Sequence, residues 1–289
     1  MLGSPGGEGC DGPMIPLRDS NPTSRFAWVT LAIIAANVAV FLLWEPSFGA
    51  NNDASTLFFF YCNAEVPWEV SHQEALADGG ADARRAIQDD LGAETGPGVG
   101  VALQRELQRR CPDKSWWESV FVAMFLHGGW LHIGGNMLFL WIFGNNVEDR
   151  LGRLAFVAFY LLGGLAAAGL QLAFDASSAV PNLGASGAIA AILGAYLVLF
   201  PRARVLTLVI FFFITWVELP AVVVLAAWFV LQLFSGVGGL TSEVSGGVAY
   251  WAHVGGFVFG AAVAWLFYRR RGPSAPPPGM YYPARPDSF

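Results

Sequence analysis

Apolar windows of about 20 residues recur along this chain, at residues 26–44, 119–143, 154–174, 183–200 and 248–268. A window of that length crosses the roughly 30 Å hydrocarbon core of a bilayer as one helix. The stretch 205–235 is also apolar but too long for a single span. As a helix its 31 residues would reach about 46 Å, and Glu218 and Pro220 interrupt it. We read 205–216 as touching the membrane and 219–235 as the span. The expected fold is therefore all-α, a polytopic bundle of six transmembrane helices with a long extracytoplasmic first loop. A composition of 55% hydrophobic and 13% charged residues is too apolar for an ordinary soluble domain of 289 residues.

Arginine placement tests the count, because cytoplasmic segments near spans collect basic residues. With six spans and the amino terminus inside, Arg18, Arg25, Arg150, Arg153, Arg202, Arg204, Arg269, Arg270, Arg271 and Arg285 are cytoplasmic, and the two short outer loops carry no basic residue. A seventh span would put the triple arginine outside and send the polar residues discussed below to opposite faces. This gives a cytoplasmic segment at 1–25, a membrane domain at 26–268 and a disordered, proline-rich cytoplasmic tail at 269–289, in the cell membrane. Met14 is a second candidate start. The first apolar run, 19 residues behind Arg18 and Arg25, is long for a signal peptide and is expected to be retained. The net charge of −6 comes mainly from acids between Glu45 and Glu118, and nucleic acid is not an expected partner.

Polar side chains inside spans are costly and are functional candidates by default. Gly184-Ala185-Ser186-Gly187 opens the fourth span, Ala252-His253-Val254-Gly255-Gly256 lies in the sixth, and His132 and Asn136 stand four apart in the second. These three spans run in the same direction, so Ser186, His253, His132 and Asn136 reach similar depth near the outer face. Packing accounts for each residue separately. Ser186, Ala190 and Gly194 form a stripe that lets helices approach, and His253 could be hydrogen-bonded glue above Gly256 and Gly260. Chemistry uses the same features, since a nucleophile needs a close helix carrying its base, and Gly184 and Gly187 leave room for a substrate backbone. His253 would then be general base and acid, and His132 and Asn136 donors to an oxyanion. His127, one turn earlier, is read as cavity lining. No acid is well placed for a triad, and a Ser-His dyad is the economical reading. No His-Glu-x-x-His zinc motif or paired intramembrane aspartate is present in the sequence, so no metal or other cofactor is expected.

Together these residues resemble the rhomboid family of intramembrane serine proteases. The likeness rests on His-x-x-x-Asn at His132 and Asn136, the serine motif at Gly184 to Gly187, Ala252-His253 with its glycines, and the turn Glu148-Asp149-Arg150-Leu151-Gly152. It implies Ser186 as nucleophile, His253 as base, and an oxyanion hole from Asn136, His132 and the Ser186 backbone N–H. The implied substrates are single-span membrane proteins cut in or beside their membrane segment, within the lipid bilayer. The resemblance also places gating near the fifth span and the loop at 235–250. A catalytically inactive relative that binds membrane helices is one alternative, and a small transporter is another.

The first outer loop, 45–118, is long. Residues 71–110 read as amphipathic helical pieces broken at Gly79-Gly80 and Gly96-Pro97-Gly98. Cys62 and Cys111 flank that insert on the oxidising side, so a disulfide closing it is expected, with two unpaired thiols as the alternative.

Overall fold

The computed structural model describes residues 14–46, 54–210, 214–239 and 249–268. The tail with its triple arginine, residues 1–13 and most of the loop at 235–250 lie outside the described residues.

Twelve α-helices are described, and one of them organises the rest. Helix α10 (Ser186–Leu199) is buried without interruption from Gly187 to Tyr196, as expected of a helix apolar on every side. Around it lie α9 (Arg153–Asp175), α12 (Tyr250–Val263, continued by a π turn to Tyr268), α7 (Trp130–Phe139, continued by a π turn) with α8 (Asn145–Leu151), and α11 (Ala221–Gly239). Helix α1 (Trp28–Leu43) packs against α7 and α9. By length and composition, Arg153–Asp175 and Tyr250–Tyr268 are able to cross a membrane, and α1, α10 and α11 are shorter apolar helices.

Close approach of α10 and α12 depends on the absence of side chains. A Cβ at Gly256 or Gly260 would run into the backbone carbonyl of Gly187 or Ala191, and one at Gly194 into that of Phe257. Small residues therefore set the separation of these two helices.

The acidic turn after α7 acts as a clamp. Glu148 accepts hydrogen bonds from the Val29 and Thr30 N–H groups and the Thr30 hydroxyl, satisfying donors in the first turn of α1. Asp149 accepts from Ser24, Arg150 donates to the Tyr268 carbonyl, and Gly152 (φ +86°) turns the chain into α9.

Two expectations are corrected. The fold is mostly helical but not all-α: β1 (Met14–Asp19), β2 (Arg204–Ile210) and β3 (Ile214–Pro220) form a three-stranded antiparallel sheet in that order. The β-branched run Val205-Leu-Thr-Leu-Val-Ile pairs with Ile214-Thr-Trp-Val-Glu-Leu from Val205↔Leu219 to Ile210↔Ile214, and Pro220 sits at the strand end, where its missing N–H costs little. Tyr196 and Asn146 both donate to Asp19, tying the sheet to α10 and α8. The second span is not one helix over 119–143. Helix α6 (Trp116–Ala123) stops before His127, and α7 starts only after Gly129, whose φ of +143° redirects the chain.

The insert contains α2 (Ala54–Asn63), α3 (Pro67–His72), α4 (Gly80–Thr95) and α5 (Val99–Arg110). It has its own core of Tyr61, Trp68, Leu76, Ile87, Leu103 and Leu107. Cys62 and Cys111 form a disulfide with Cα atoms 5.6 Å apart. Lys114 is buried in an ion pair with Glu69.

Candidate active site

Ser186 is the first residue of α10, and its position follows from the loop before it. Gly184 donates its N–H to the Ala123 carbonyl at 2.8 Å and adopts φ +124°, a conformation rarely open to side-chain-bearing residues. Residue 182 is held farther out, where Asn182 bridges to Glu65 of the insert. Because Ser186 begins the helix, its own N–H has no carbonyl one turn earlier to bond and points out at the positive end of the helix dipole.

His253 comes from α12 and is buried. Its Nε2 lies 2.7 Å from the Ser186 Oγ, the distance of a good hydrogen bond. Its Nδ1 lies 2.8 Å from the Oε1 of Gln232 on α11, and Trp228, one turn earlier on the same face, packs its ring 5.8 Å from the imidazole. The serine, histidine and glutamine thus form a hydrogen-bonded line across α10, α12 and α11.

His132 completes the near side. Gly128 donates its N–H to His132 Nδ1 at 3.1 Å, so the neutral ring carries its proton on Nε2. That edge faces Gly184: a Cβ there would lie 2.9 Å from His132 Nε2 and 3.5 Å from Ser186 Oγ. A donor and the nucleophile therefore border one small space, kept open by glycine. Asn136 is buried on the same face of α7, with Nδ2 donating to the His132 carbonyl at 2.9 Å, which leaves its second N–H uncommitted by that bond. His127 is fully buried beside His132, its ring edge-on at 5.2 Å and its backbone N–H donated to Glu45 Oε1. It supports the site from that side.

Beside Ser186 a cavity of about 50 Å³ is walled by Glu65, Val120, Met124, Gln171, Asn182 and Ala252. Gln171 also accepts the Ala252 N–H, joining α9 to the first turn of α12. Gly187 and Gly256 lie where α10 and α12 touch, and Gly187 also lines the cavity beside Ser186. Among the described residues, no cluster of three or more histidine, cysteine or acidic side chains could hold a metal.

Chemically, the arrangement supplies a hydroxyl, a base within proton-transfer reach, and N–H donors converging on the space beside it, which is what acyl transfer through a tetrahedral intermediate needs. The sequence reading missed Gln232 and Trp228. Gln232 carries the same signal as Ser186 and His253, a polar side chain in an apolar span, but it is an amide and not the acid that a triad calls for.

A protein-family model described as the rhomboid domain matches residues 113–270. Rhomboid protein 1, mitochondrial, from Saccharomyces cerevisiae is 30% identical over 153 residues, covering 51% of this chain and 41% of the yeast protein. RHOMBOID-like protein 5 from Arabidopsis thaliana is 26% identical, covering 61% and 52%. Rhomboid protease GluP from Bacillus subtilis is 33% identical over 106 residues, covering 37% and 20%. In these alignments the chain spans about half or less of each relative's length.

Proposed function

The chain belongs to the rhomboid family, and on that premise we propose that it is an intramembrane serine endopeptidase that cleaves membrane proteins in or beside a transmembrane segment. The observation that carries this reading is the 2.7 Å contact between Ser186 Oγ and His253 Nε2, made by residues from separate helices.

In the proposed mechanism, His253 takes the Ser186 proton as Oγ attacks the scissile carbonyl, then delivers it to the leaving amine. The Ser186 N–H, His132 Nε2–H and Asn136 hold the oxyanion. Water then hydrolyses the acyl-enzyme with His253 again as base. A peptide bond inside a helix is shielded by its own hydrogen bonding, so the substrate must unwind locally before it reaches Ser186. We place the protein across a cell membrane with six spans and both termini cytoplasmic. The dyad then lies toward the extracytoplasmic face, on the same side as the insert. Substrates are single-span membrane proteins.

Reconstitution of purified protein with a single-span substrate tests the proposal. Wild type should cleave it, and Ser186→Ala and His253→Ala should not. Cleavage that survives Ser186→Ala would rule out the serine mechanism.

A further inference from the structure

His253 can act as the base only in one of its two neutral tautomers. Nε2 must offer a lone pair to the Ser186 hydroxyl, so the ring proton must sit on Nδ1. An isolated imidazole is not confined to that form. In this chain the atom facing Nδ1 is Gln232 Oε1, at 2.8 Å, and a carbonyl oxygen accepts but does not donate. Among the described residues, the other atom within hydrogen-bond reach of the ring is the Ser186 Oγ, at 2.7 Å.

We infer that Gln232 is a positioning residue of the catalytic machinery: its side-chain oxygen holds His253 in the Nδ1–H tautomer and aims Nε2 at Ser186, so that three helices together build the reactive pair. The inference rests on the proposed serine-protease reading and adds a third member that carries no charge.

The local structure supports the role. Gln232 and Trp228 are four residues apart on α11, hence on one face, and both meet His253: the Trp228 ring lies 5.8 Å from the imidazole while the Gln232 oxygen faces Nδ1. A neutral amide suits this depth. A carboxylate would bring a desolvated charge into an apolar span, whereas an amide gives the same acceptor geometry without that cost. Gln232 does not line the cavity beside Ser186, so its effect should fall on turnover and not on substrate affinity. The positioning bond is carried by α11 and the nucleophile by α10, so displacement of α11 alone unlocks the histidine even with Ser186 in place.

The test uses the full-length protein with ¹⁵N-labelled histidine and a fluorophosphonate probe. In wild type, the His253 nitrogen shifts should report Nδ1–H, and Ser186 should label. Gln232→Met keeps length but replaces the carbonyl with a thioether, a far weaker acceptor. It should mix the tautomers, slow labelling at least about tenfold, and lower kcat with KM unchanged. Gln232→Glu keeps an acceptor at the same reach only when its carboxyl is ionised, so it should restore the Nδ1–H signature at alkaline pH and lose it as the carboxyl takes up a proton. An Nε2–H tautomer in wild type, or Gln232→Met labelling at the wild-type rate, overturns the inference and leaves the protease reading standing. Failure of wild type to label overturns the protease reading instead, and the nitrogen shifts still decide the role of Gln232.

Discussion

Gly260→Ala should abolish the proposed activity from a position two helical turns away from His253. Gly260 shares a face of α12 with Gly256 and His253, and its Cα rests against the Ala191 carbonyl of α10. Ordinary van der Waals contact for a Cβ begins near 3.4 Å, and an added methyl falls well inside it against backbone that cannot rotate away. The two helices must part by on the order of 1 Å, because a packed interior has no slack to absorb the methyl elsewhere. His253 moves with α12, and a 2.7 Å bond stretched by that amount is no longer a hydrogen bond. Misplacement of about 1 Å typically costs about 100-fold in rate, and overpacking costs about 1–3 kcal/mol of stability. The assay is the fluorophosphonate labelling rate at Ser186 beside the thermal midpoint in detergent. Gly169→Ala on α9, where a Cβ meets nothing within 4 Å, serves as the control and should behave as wild type. Gly260→Ala with wild-type labelling and midpoint would refute the claim that glycine contact sets the dyad geometry.

Three further outcomes are expected. His132→Ala and Asn136→Ala should each lower kcat about 100- to 1,000-fold with little change in KM, measured as initial cleavage rates, because oxyanion donors act mainly in the transition state; a change confined to KM would assign them to substrate binding. Cys62→Ser with Cys111→Ser opens a bridge spanning 49 residues, worth about 4 kcal/mol on chain-entropy grounds, so limited proteolysis of the insert should accelerate sharply in the variant and in reduced wild type; equal rates would show that the insert's own core suffices. Stability of the insert should also depend on pH. Burial pushes the Glu65 carboxyl from 4.5 up to about 7 against the pull of Lys114, so the folded insert keeps a proton that the unfolded chain releases. Stability from this group is therefore full in acid and declines as pH rises from about 4.5 to about 7, and the denaturation midpoint should be higher at pH 5 than at pH 8; a flat profile for wild type, or an unchanged slope in Glu65→Gln, would contradict this.

Much of the arrangement around Ser186 can be read from the sequence because it rests on spacing. His253, Gly256 and Gly260 fall at intervals of three and four, and His132 and Asn136 at four, so each set must share a helical face. What could not be read depends on partners distant in the chain or on local breaks that a 20-residue window averages away. Strand β1 pairs with β2 over a long separation in the chain, Met14 with Val209, and β2 itself is a short apolar run that hydropathy cannot distinguish from a membrane segment. The break at His127-Gly128-Gly129 lies inside an otherwise apolar stretch, and only the positive φ of Gly129 reveals the redirection. Glu148 reads as a loop acid until α1 packs over it and gives it three donors. Gln232 required knowing which face of α11 meets α12.

The most direct test of the central claim is mass-spectrometric mapping of the fluorophosphonate adduct on protein held in a lipid bilayer. The account predicts a single adduct on Ser186, lost in Ser186→Ala and strongly slowed in His253→Ala. An adduct on any other residue, or undiminished labelling of Ser186 without the histidine, would contradict it.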